Sequence, residues 1–450
     1  MKKPSAQDSL RDPEKHLAAN TRTLVVGPYL TGRRGEAHES RSFAARFEEA
    51  LGLARAIDLD IEASVSVNLS EIRPATYLGK GKVEELATDA KEREIGLVVM
   101  DCALSPVQQR NLEKAFSAKV IDRTGLILEI FGRRARTREG ALQVELAHLN
   151  YQKSRLVRSW THLERQRGGF GFLGGPGETQ IETDRRLIQE RMIRIERDLE
   201  GVKKTRALHR ASRGEVPYPL IALVGYTNAG KSTLFNRLTQ SEVLARDMLF
   251  ATLDPTMRAL KLPHGGAVIL SDTVGFISDL PTMLISAFRA TLEEVLVADV
   301  VLHVRDISHE DTEAQSKDVE TILDELGVAA GKVVEVWNKL DKLDGERREA
   351  LIEGEAGEPT NARPLAISAL TGEGVDRLLA AMEDRVAEGR ALIAVEIGAA
   401  DGSGLHWAYE NAEVMRREDA DDGSIKLTLR VAQDKSERVR RRFLAAPTAH

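Results

Sequence analysis

A glycine-rich loop near the middle of the chain constrains the fold more than any other segment of the 450 residues. It follows an apolar run at 220–224 and precedes a stretch of helical composition that begins near residue 233. Its sequence fits the pattern G-x-x-x-x-G-K-[ST], in which backbone amides surround phosphate oxygens at the start of a helix. The predicted contact residues are Gly225, Tyr226, Thr227, Asn228, Ala229, Gly230, Lys231, Ser232 and Thr233. Strand, loop and helix in this order predict an α/β domain that binds a nucleotide phosphate.

A second motif predicts a magnesium site beside this loop. It follows the apolar run at 267–270 and consists of Asp272, Thr273, Val274 and Gly275. A carboxylate at this strand end can hold, through water, the shell of a Mg²⁺ ion that the Ser232 hydroxyl coordinates, while Lys231 faces the β- and γ-phosphates. The amide of Gly275 can meet the γ-phosphate, so the segment after it is predicted to change with the bound nucleotide.

Two further motifs at predicted strand ends indicate which base the site accepts. The first follows the apolar run at 333–337 and consists of Asn338, Lys339, Leu340 and Asp341. A carboxylate here can accept two hydrogen bonds from guanine, and adenine does not offer that pair of donors. The second consists of Ser368, Ala369 and Leu370, where a backbone amide can meet guanine O6. The four motifs together predict a GTP site.

The order of these motifs resembles the translation-factor-like GTPases. In that superfamily a threonine between the phosphate loop and the Asp272 motif completes the magnesium shell, and Thr252 and Thr256 are the candidates here. Thr252 is preferred because Thr256 lies close to a predicted strand at 258–262. The resemblance adds one more set of nucleotide-site residues, namely Phe250, Ala251, Thr252, Leu253 and Asp254. The predicted metal ligands are Ser232, Thr252 and Asp272, and the residues predicted to act in catalysis are Lys231, Thr252 and Gly275.

Two residues depart from or add to this pattern. Many small GTPases place a glutamine directly after the second motif to orient the attacking water, but this chain has Phe276. We therefore expect slow hydrolysis by the isolated protein, accelerated by a partner or a cation. Asn228 resembles the phosphate-loop asparagine of potassium-activated GTPases, which implies a possible K⁺ cofactor beside Mg²⁺. The alternative is a loop asparagine that bonds its own backbone.

The remaining sequence predicts a multidomain α/β chain around this GTPase domain. Strand-like and helical patterns alternate at 23–131, which favours a partly parallel α/β domain. Leucines at helical spacing from Leu142 to Leu156 and a heptad stripe from Ile188 to Val202 predict two antiparallel helices with a glycine-rich tip at 168–177. The predicted units are a disordered tail at 1–20, an N-terminal α/β domain at 21–135, a basic antiparallel helical hairpin at 136–213, a P-loop GTPase domain at 217–387 and a small α+β C-terminal domain at 391–450. A glycine-lysine loop at 79–82 is either an ordinary turn or a phosphate or RNA-backbone contact.

Five segments outside and inside the GTPase motifs resemble the HflX family. They are the runs at 124–131, 139–146, 174–186, 250–256 and 272–277. The resemblance implies a GTP-hydrolysing factor that binds the large ribosomal subunit, including its rRNA, and acts in ribosome splitting and rescue or in subunit biogenesis. Two other functions remain open: a GTPase that assists tRNA modification, and a nucleotide-gated scaffold in which hydrolysis is incidental.

The charge distribution agrees with a nucleic-acid partner. The whole chain carries a formal net charge of −6, yet residues 123–213 contain 20 Lys or Arg against 11 Asp or Glu. A basic hairpin on an acidic protein suits a phosphate backbone, although a solvated charged helix face would have the same composition. The predicted RNA contacts are Arg133, Arg134, Arg136, Arg138, Arg155, Arg158, Arg165 and Arg167. A second basic run at 435–442 is either a contact surface or a charged helix.

Composition limits the compartment and the cofactors. The single cysteine, Cys102, excludes a disulfide framework and a four-thiolate metal site, and its apolar neighbours predict an inert core thiol. No run of about 18 uncharged apolar residues occurs, so no stable membrane insertion is expected. We expect a cytoplasmic protein that is monomeric when free.

Overall fold

The computed structural model describes residues 21–31, 41–166, 176–213, 218–241, 249–250, 252–263, 266–280, 289–355, 364–388, 390–398, 401–420 and 423–443. The predicted tail at 1–20, most of the glycine-rich tip and Ala251 lie outside these residues. The multidomain α/β architecture predicted from the sequence is confirmed, with three separate sheets in chain order.

The N-terminal sheet has four parallel strands in the order β2-β1-β3-β4. Its strands are β1 (Arg22–Leu30), β2 (Asp60–Leu69), β3 (Leu97–Met100) and β4 (Lys119–Asp122). The helices that connect and follow them are α1 (Phe43–Arg55), α2 (Lys80–Glu92), α3 (Pro106–Phe116) and α4 (Arg123–Arg134). Ser105 caps α3 in a reciprocal capping box with Gln108. Strands β1 and β3 and most of β4 are buried, which agrees with the apolar runs of a parallel sheet, whereas the edge strand β2 is largely half-buried or exposed.

Two ambiguous features of this domain have structural explanations. In the glycine-lysine loop, Lys82 Nζ lies 2.7 Å from Glu85 and Lys80 Nζ lies 3.8 Å from Glu84, so both lysines pair within α2. This arrangement favours the ordinary surface turn. Burial raises the pKa of the Cys102 thiol, and Asp101 and Asp122 raise it further, which agrees with the prediction of an inert thiol.

The hairpin consists of α5 (Arg138–Gln166) and α6 (Pro176–Arg213), which pack against each other. On α6 the heptad stripe faces the partner helix, with Met192, Ile195 and Leu199 buried. On α5 the predicted leucine stripe is only half-buried near its start, and the most buried residues are Gln143, Val144 and Ala147. The stripe prediction missed them because α5 also packs against α3 and α4 of the N-terminal domain, so it buries more than one face.

The GTPase sheet has six strands in the order β10-β9-β8-β5-β7-β6. The strands are β5 (Leu220–Val224), β6 (Thr256–Lys261), β7 (Ala267–Asp272), β8 (Val300–Asp306), β9 (Val333–Asn338) and β10 (Leu365–Ala366). The helices are α7 (Lys231–Thr239), α8 (Arg289–Val297), α9 (Thr312–Leu326), α10 (Gly345–Glu355) and α11 (Val375–Ala387), with short 3₁₀ turns at Ala330–Lys332 and Leu340–Lys342. All pairs are parallel except β6 and β7, which form the predicted hairpin. The four nucleotide motifs therefore follow the carboxyl ends of neighbouring strands, where α/β sheets bind ligands.

The C-terminal domain is an antiparallel three-stranded sheet with two helices, as the sequence predicted. Its elements are β11 (Arg390–Ile397), α12 (Gly402–Asn411), β12 (Glu413–Asp419), β13 (Ile425–Ala432) and α13 (Gln433–Phe443). The basic run at 435–442 forms most of α13, and Arg438 and Arg442 lie over the ring of Trp407 at 5.8 and 5.9 Å. No helix among the described residues combines the length and hydropathy needed to cross a membrane.

One hydrophobic cluster joins the N-terminal domain to the GTPase domain. It contains Leu53 of α1 and Phe131 of α4 together with Phe250, Leu253 and Phe276 of the GTPase domain. The rings of Phe131 and Phe250 meet edge to face, with centroids 4.7 Å apart. The two domains therefore share a packed core instead of being linked only by the hairpin.

Candidate functional site

The phosphate loop has backbone conformations that only glycine adopts easily at its two ends. Gly225 and Gly230 have φ values of +146° and +95°. A Cβ on Gly225 would overlap the carbonyl oxygen of Val304, and one on Gly230 would overlap the amide of Asn338. Both glycines are therefore required for the close approach of neighbouring strands. Asn228 lies between them with φ +61°, exposed, in the left-handed region that asparagine tolerates.

Lys231 is buried in this loop, and none of the described carboxylates is in direct contact with it. Its Nζ donates to the carbonyl oxygens of Gly225 and Tyr226 at 3.1 and 2.8 Å. Burial lowers the pKa of Lys231 to about 8, Asp272 opposes that shift, and Lys339 adds to it. A buried ammonium with so little compensation is stabilised by any anion that enters the loop, and phosphate oxygens meet that need.

Three oxygens from separate segments meet beside the loop. Ser232 Oγ lies 2.9 Å from Thr252 Oγ1, and both hydroxyls donate to Asp272 Oδ2, at 2.7 and 2.8 Å. Neighbouring ligands of an octahedral Mg²⁺ ion are about 2.9 Å apart when the metal–oxygen distance is about 2.0–2.1 Å. Burial raises the pKa of Asp272, although Lys231 and the two hydroxyls oppose the shift, and its Oδ1 has no hydrogen-bond partner in the described part of the chain. These oxygens fit the ligand set of a magnesium ion, and Thr256 lies instead within β6.

The two base motifs are tied to the phosphate loop by Asn338. Its amide nitrogen donates to the carbonyl oxygen of Ala229 at 2.7 Å, and its oxygen accepts from the amide of Ala369 at 2.9 Å. Asp341 accepts from the Ser368 hydroxyl at 2.5 Å. The predicted residues of both motifs therefore come together at one end of the sheet. Sequence reasoning missed Asp306, which lies 2.7 Å from Lys339 Nζ and fixes that lysine.

Phe276 occupies a structural position next to the phosphate loop. Its amide donates to the carbonyl oxygen of Gly225 at 3.1 Å, and its own carbonyl oxygen accepts from the amide of Thr227 at 2.7 Å. The side chain is 1% exposed and belongs to the core between the two domains. It therefore has neither the chemistry nor the direction to orient a water molecule.

A buried charge cluster beneath the phosphate loop was not predicted from the sequence. Glu49 of α1 accepts hydrogen bonds from Arg41, Arg123, Tyr226 and Ser278. Burial alone would raise the pKa of Glu49, but Arg123 and Arg41 outweigh it and lower that pKa to about 2. The cluster joins the N-terminal domain to a phosphate-loop side chain and to the segment after Phe276. The residues of this cluster are far apart in the chain, so no local sequence pattern predicts the cluster.

Asp254 does not lie where the nucleotide-site prediction placed it. Its carboxylate accepts from the backbone amides of Arg136 and Thr137 at 2.8 and 2.9 Å, and from the Thr137 hydroxyl at 2.5 Å. The backbone amides before α5 hold the carboxylate at the base of the hairpin. The sequence contained the capping threonine, but not its partner in another domain.

Several arginines that were predicted to contact RNA instead bind groups within the protein. Arg133 and Arg134 donate to the carbonyl oxygens of Ile57 and Ala56 at 2.5 and 3.0 Å. Arg155 lies 2.6 Å from Asp122 and stacks on Tyr151. Arg136 and Arg138 are exposed. The other three, Arg158, Arg165 and Arg167, fall where side chains lie outside the described residues.

Comparisons with known proteins cover nearly the whole chain. Four family models match: GTP-binding GTPase N-terminal at 44–132, GTP-binding GTPase Middle Region at 134–213, 50S ribosome-binding GTPase at 220–339 and HflX C-terminal domain at 355–450. GTPase HflX of Magnetococcus marinus is 52% identical over 377 residues, which are 83% of this chain and 85% of that protein. GTPase HflX of Escherichia coli is 45% identical over 359 residues, 80% of this chain and 83% of that protein.

The chain belongs to the HflX family of GTPases. It is a GTP-hydrolysing enzyme, as the motifs predicted. A GTP-binding protein of Sulfolobus solfataricus, solved with GDP, is 22% identical with a TM-score of 0.43, covering 82% of this chain and 99% of that one. The HflX C-terminal model begins at 355 and so includes β10 and α11, which the sheet order assigns to the GTPase domain.

Proposed function

We propose that this HflX-family GTPase binds the large ribosomal subunit and acts in ribosome splitting and rescue or in subunit biogenesis. The observation that carries this proposal is the match of residues 220–339 to a family described as a 50S ribosome-binding GTPase. The hairpin gives it a physical basis. On α6 the side chains of Arg185, Arg186, Arg194 and Arg197 are exposed, with Arg186 3.7 Å from Glu190, and exposed cations suit an RNA backbone.

Each group at the nucleotide site has a role in this proposal. Lys231 holds the β- and γ-phosphates, and Ser232, Thr252 and Asp272 hold Mg²⁺. The Gly275 amide donates to the γ-phosphate, and Asp341 selects guanine. The magnesium ion supplies positive charge that neutralises the phosphate oxygens as the bond to the leaving group breaks. The protein contributes positioning and fixed charge, through Lys231 and the backbone amides of the phosphate loop.

The activator of hydrolysis lies outside the described side chains in this proposal. Since Phe276 is buried in the core between the domains, the attacking water is oriented by a group that arrives with the ribosome or by a monovalent cation. We keep K⁺ at Asn228 as a hypothesis, although the left-handed backbone of Asn228 already gives a reason for an asparagine. Exchanging K⁺ for Na⁺ at constant ionic strength tests it: K⁺ is expected to raise turnover about tenfold, and equal rates would eliminate this cation site.

Co-sedimentation with purified large subunits tests the ribosomal partner. We expect the full chain to pellet with subunits in a non-hydrolysable GTP analogue and to remain in the supernatant in GDP. The double variant Arg185→Ala/Arg186→Ala should bind more weakly and reduce the slope of log affinity against log salt by about two. The matched control Arg93→Ala/Arg347→Ala removes two exposed arginines outside the hairpin and should keep the wild-type slope.

Two readouts separate the possible roles. Conversion of whole ribosomes into subunits by the GTP-bound protein supports splitting, whereas binding confined to immature large subunits supports biogenesis. If subunits neither bind the protein nor change its GTP turnover, the ribosomal proposal is wrong, and a nucleotide-gated scaffold is the better description. A function at the ribosome places the protein in the cytoplasm.

A further inference from the structure

Residues 249–250 and 252–254 lie between the magnesium site and the N-terminal domain. Leu249 packs against Gly52 of α1, and Phe250 against Phe131 of α4. Leu253 is buried in the same core. Thr252 is the member of this segment whose side chain faces Ser232 and Asp272.

Asp254 ends this segment on the first turn of the hairpin. It receives three hydrogen bonds there, two from backbone amides and one from the Thr137 hydroxyl. Thr137 in turn caps α5, because its Oγ1 accepts from the amide of Gly140 at 3.0 Å. The carboxylate also lies at the positive end of the helix dipole, where a negative charge is stabilising.

We propose that Asp254 is a positioning residue that couples the magnesium ligand Thr252 to the base of the hairpin. Only one residue separates the two, and both are held by short hydrogen bonds at their ends. A shift of Thr252 toward or away from Mg²⁺ therefore pulls on α5, and a displaced α5 pulls on Thr252. The inference rests on the proposed magnesium role of Thr252, and it requires no ribosome.

Thermodynamic linkage makes the coupling testable from the hairpin side. Suppose that the hydrogen bonds of Asp254 at the base of the hairpin raise the affinity for GTP and Mg²⁺ by some factor. Loss of these hydrogen bonds must then lower that affinity by the same factor. A substitution of Gly140 would disturb these hydrogen bonds, because a Cβ there would overlap Asp254 Oδ1. Alanine is a stronger helix former than glycine, so Gly140→Ala disturbs the contact without weakening the helix itself.

The matched control is another helical glycine of the hairpin. Gly201 of α6 has open space where its Cβ would lie, so Gly201→Ala changes helix propensity alone. On the switch side, Asp254→Asn keeps the side-chain volume and leaves one acceptor oxygen for three donors. Its control is Asp401→Asn, because Asp401 caps α12 in the C-terminal domain by accepting from Gly404 at 2.8 Å.

The first measurement is the affinity of each full-length variant for GDP and for a non-hydrolysable GTP analogue with Mg²⁺. Gly140→Ala and Asp254→Asn should lose roughly five- to twentyfold in affinity for the analogue and less than twofold for GDP. Both controls should bind like wild type. The proposal is overturned if Gly140→Ala discriminates the two nucleotides as wild type does.

A Thr252→Ala variant distinguishes the two ways of failing. If Thr252→Ala lowers analogue affinity but Gly140→Ala does not, the magnesium role stands and the coupling is wrong. If Thr252→Ala also leaves the affinity unchanged, the assigned magnesium role is itself wrong.

The second measurement uses the unaltered protein, so it does not depend on a variant folding. Hydrogen exchange at the amides of Arg136 and Thr137, which donate to Asp254, should slow at least threefold in the GTP analogue relative to GDP. Equal exchange in both nucleotides contradicts the coupling. In Asp254→Asn the difference between nucleotides should disappear.

Discussion

Two buried charged regions adjoin the phosphate loop: in one the pKa shifts disfavour the charged forms of the side chains, and in the other they favour them. At the nucleotide site burial dominates: the pKa of Lys231 is lowered to about 8 and that of Asp272 is raised. In the cluster around Glu49, attraction dominates: the pKa of Glu49 is lowered to about 2, and those of Arg41 and Arg123 are raised. The first region disfavours its own charges, while the second stabilises them internally.

The opposite pKa shifts distinguish a site that binds a ligand from the Glu49 cluster, which holds the two domains together. Lys231 and Asp272 gain their missing partners when phosphate and Mg²⁺ bind, so part of their unfavourable burial becomes binding free energy. Glu49 already has four donors, from both domains. Both carboxylate oxygens of Glu49 are therefore paired within the protein, and they hold Tyr226 and Ser278 in place.

The largest effect is expected from removing Glu49, the carboxylate shared by the residues of this cluster. Glu49→Ala leaves two buried arginines without their shared carboxylate, so the free energy of unfolding should fall by about 3–5 kcal/mol. Denaturant unfolding of the nucleotide-free protein measures it. A loss below about 1 kcal/mol, which is typical of exposed ion pairs, would show that the Glu49 cluster does not hold the domains together.

The ligand site should respond in the opposite sense. Lys231→Met removes a poorly compensated buried charge, so the nucleotide-free protein should become more stable at pH 7.5. The same change should slow single-turnover GTP hydrolysis by roughly 10²–10³-fold, because a charge that faces the transferring phosphoryl group is lost. A Lys231→Met protein that is less stable than wild type without nucleotide would contradict the comparison.

The pH dependence of stability gives a third test. The folded pKa of Lys231 is depressed from 10.5 to about 8, so between these values the unfolded chain binds more protons than the folded one. The stability of the nucleotide-free protein should therefore rise with pH across that window, by up to about 3 kcal/mol. Unfolding at pH 7.5 and 10, compared with Lys231→Met, isolates this contribution. With the GTP analogue and Mg²⁺ bound, the rise should vanish.

A smaller effect is expected at the boundary between the two regions. Phe276→Gln restores the residue type that many small GTPases use, but it places an amide in the core between the domains. We expect a loss of about 2–3 kcal/mol in unfolding free energy and no increase in GTP turnover. Faster hydrolysis in this variant would mean that the side chain reaches the γ-phosphate after all. Phe276→Leu, which keeps the position apolar, is the matched control.

The structure brings the motifs predicted for the nucleotide site together at one edge of the sheet, because the pattern that defines each motif is local. The phosphate loop, the Asp272 motif and both base motifs are short runs that follow strands, and each strand is itself a visible apolar run. Parallel pairing then brings those strand ends to one edge of the sheet. The choice of Thr252 over Thr256 also agrees with the geometry, since Thr256 begins β6.

The tertiary structure alone decided which residues of different domains contact each other. Asp254 and Thr137 are 117 residues apart, and Ser278 and Glu49 are 229 apart, so no periodicity or motif relates either pair. The same holds for Arg133, Arg134 and Arg155, whose partners lie in other elements and whose charge alone suggested RNA. Local patterns specify which groups stand at a strand or helix end, because backbone geometry repeats. Which distant groups satisfy a buried charge or a free helix amide depends on packing, because those partners meet only after the whole chain has folded.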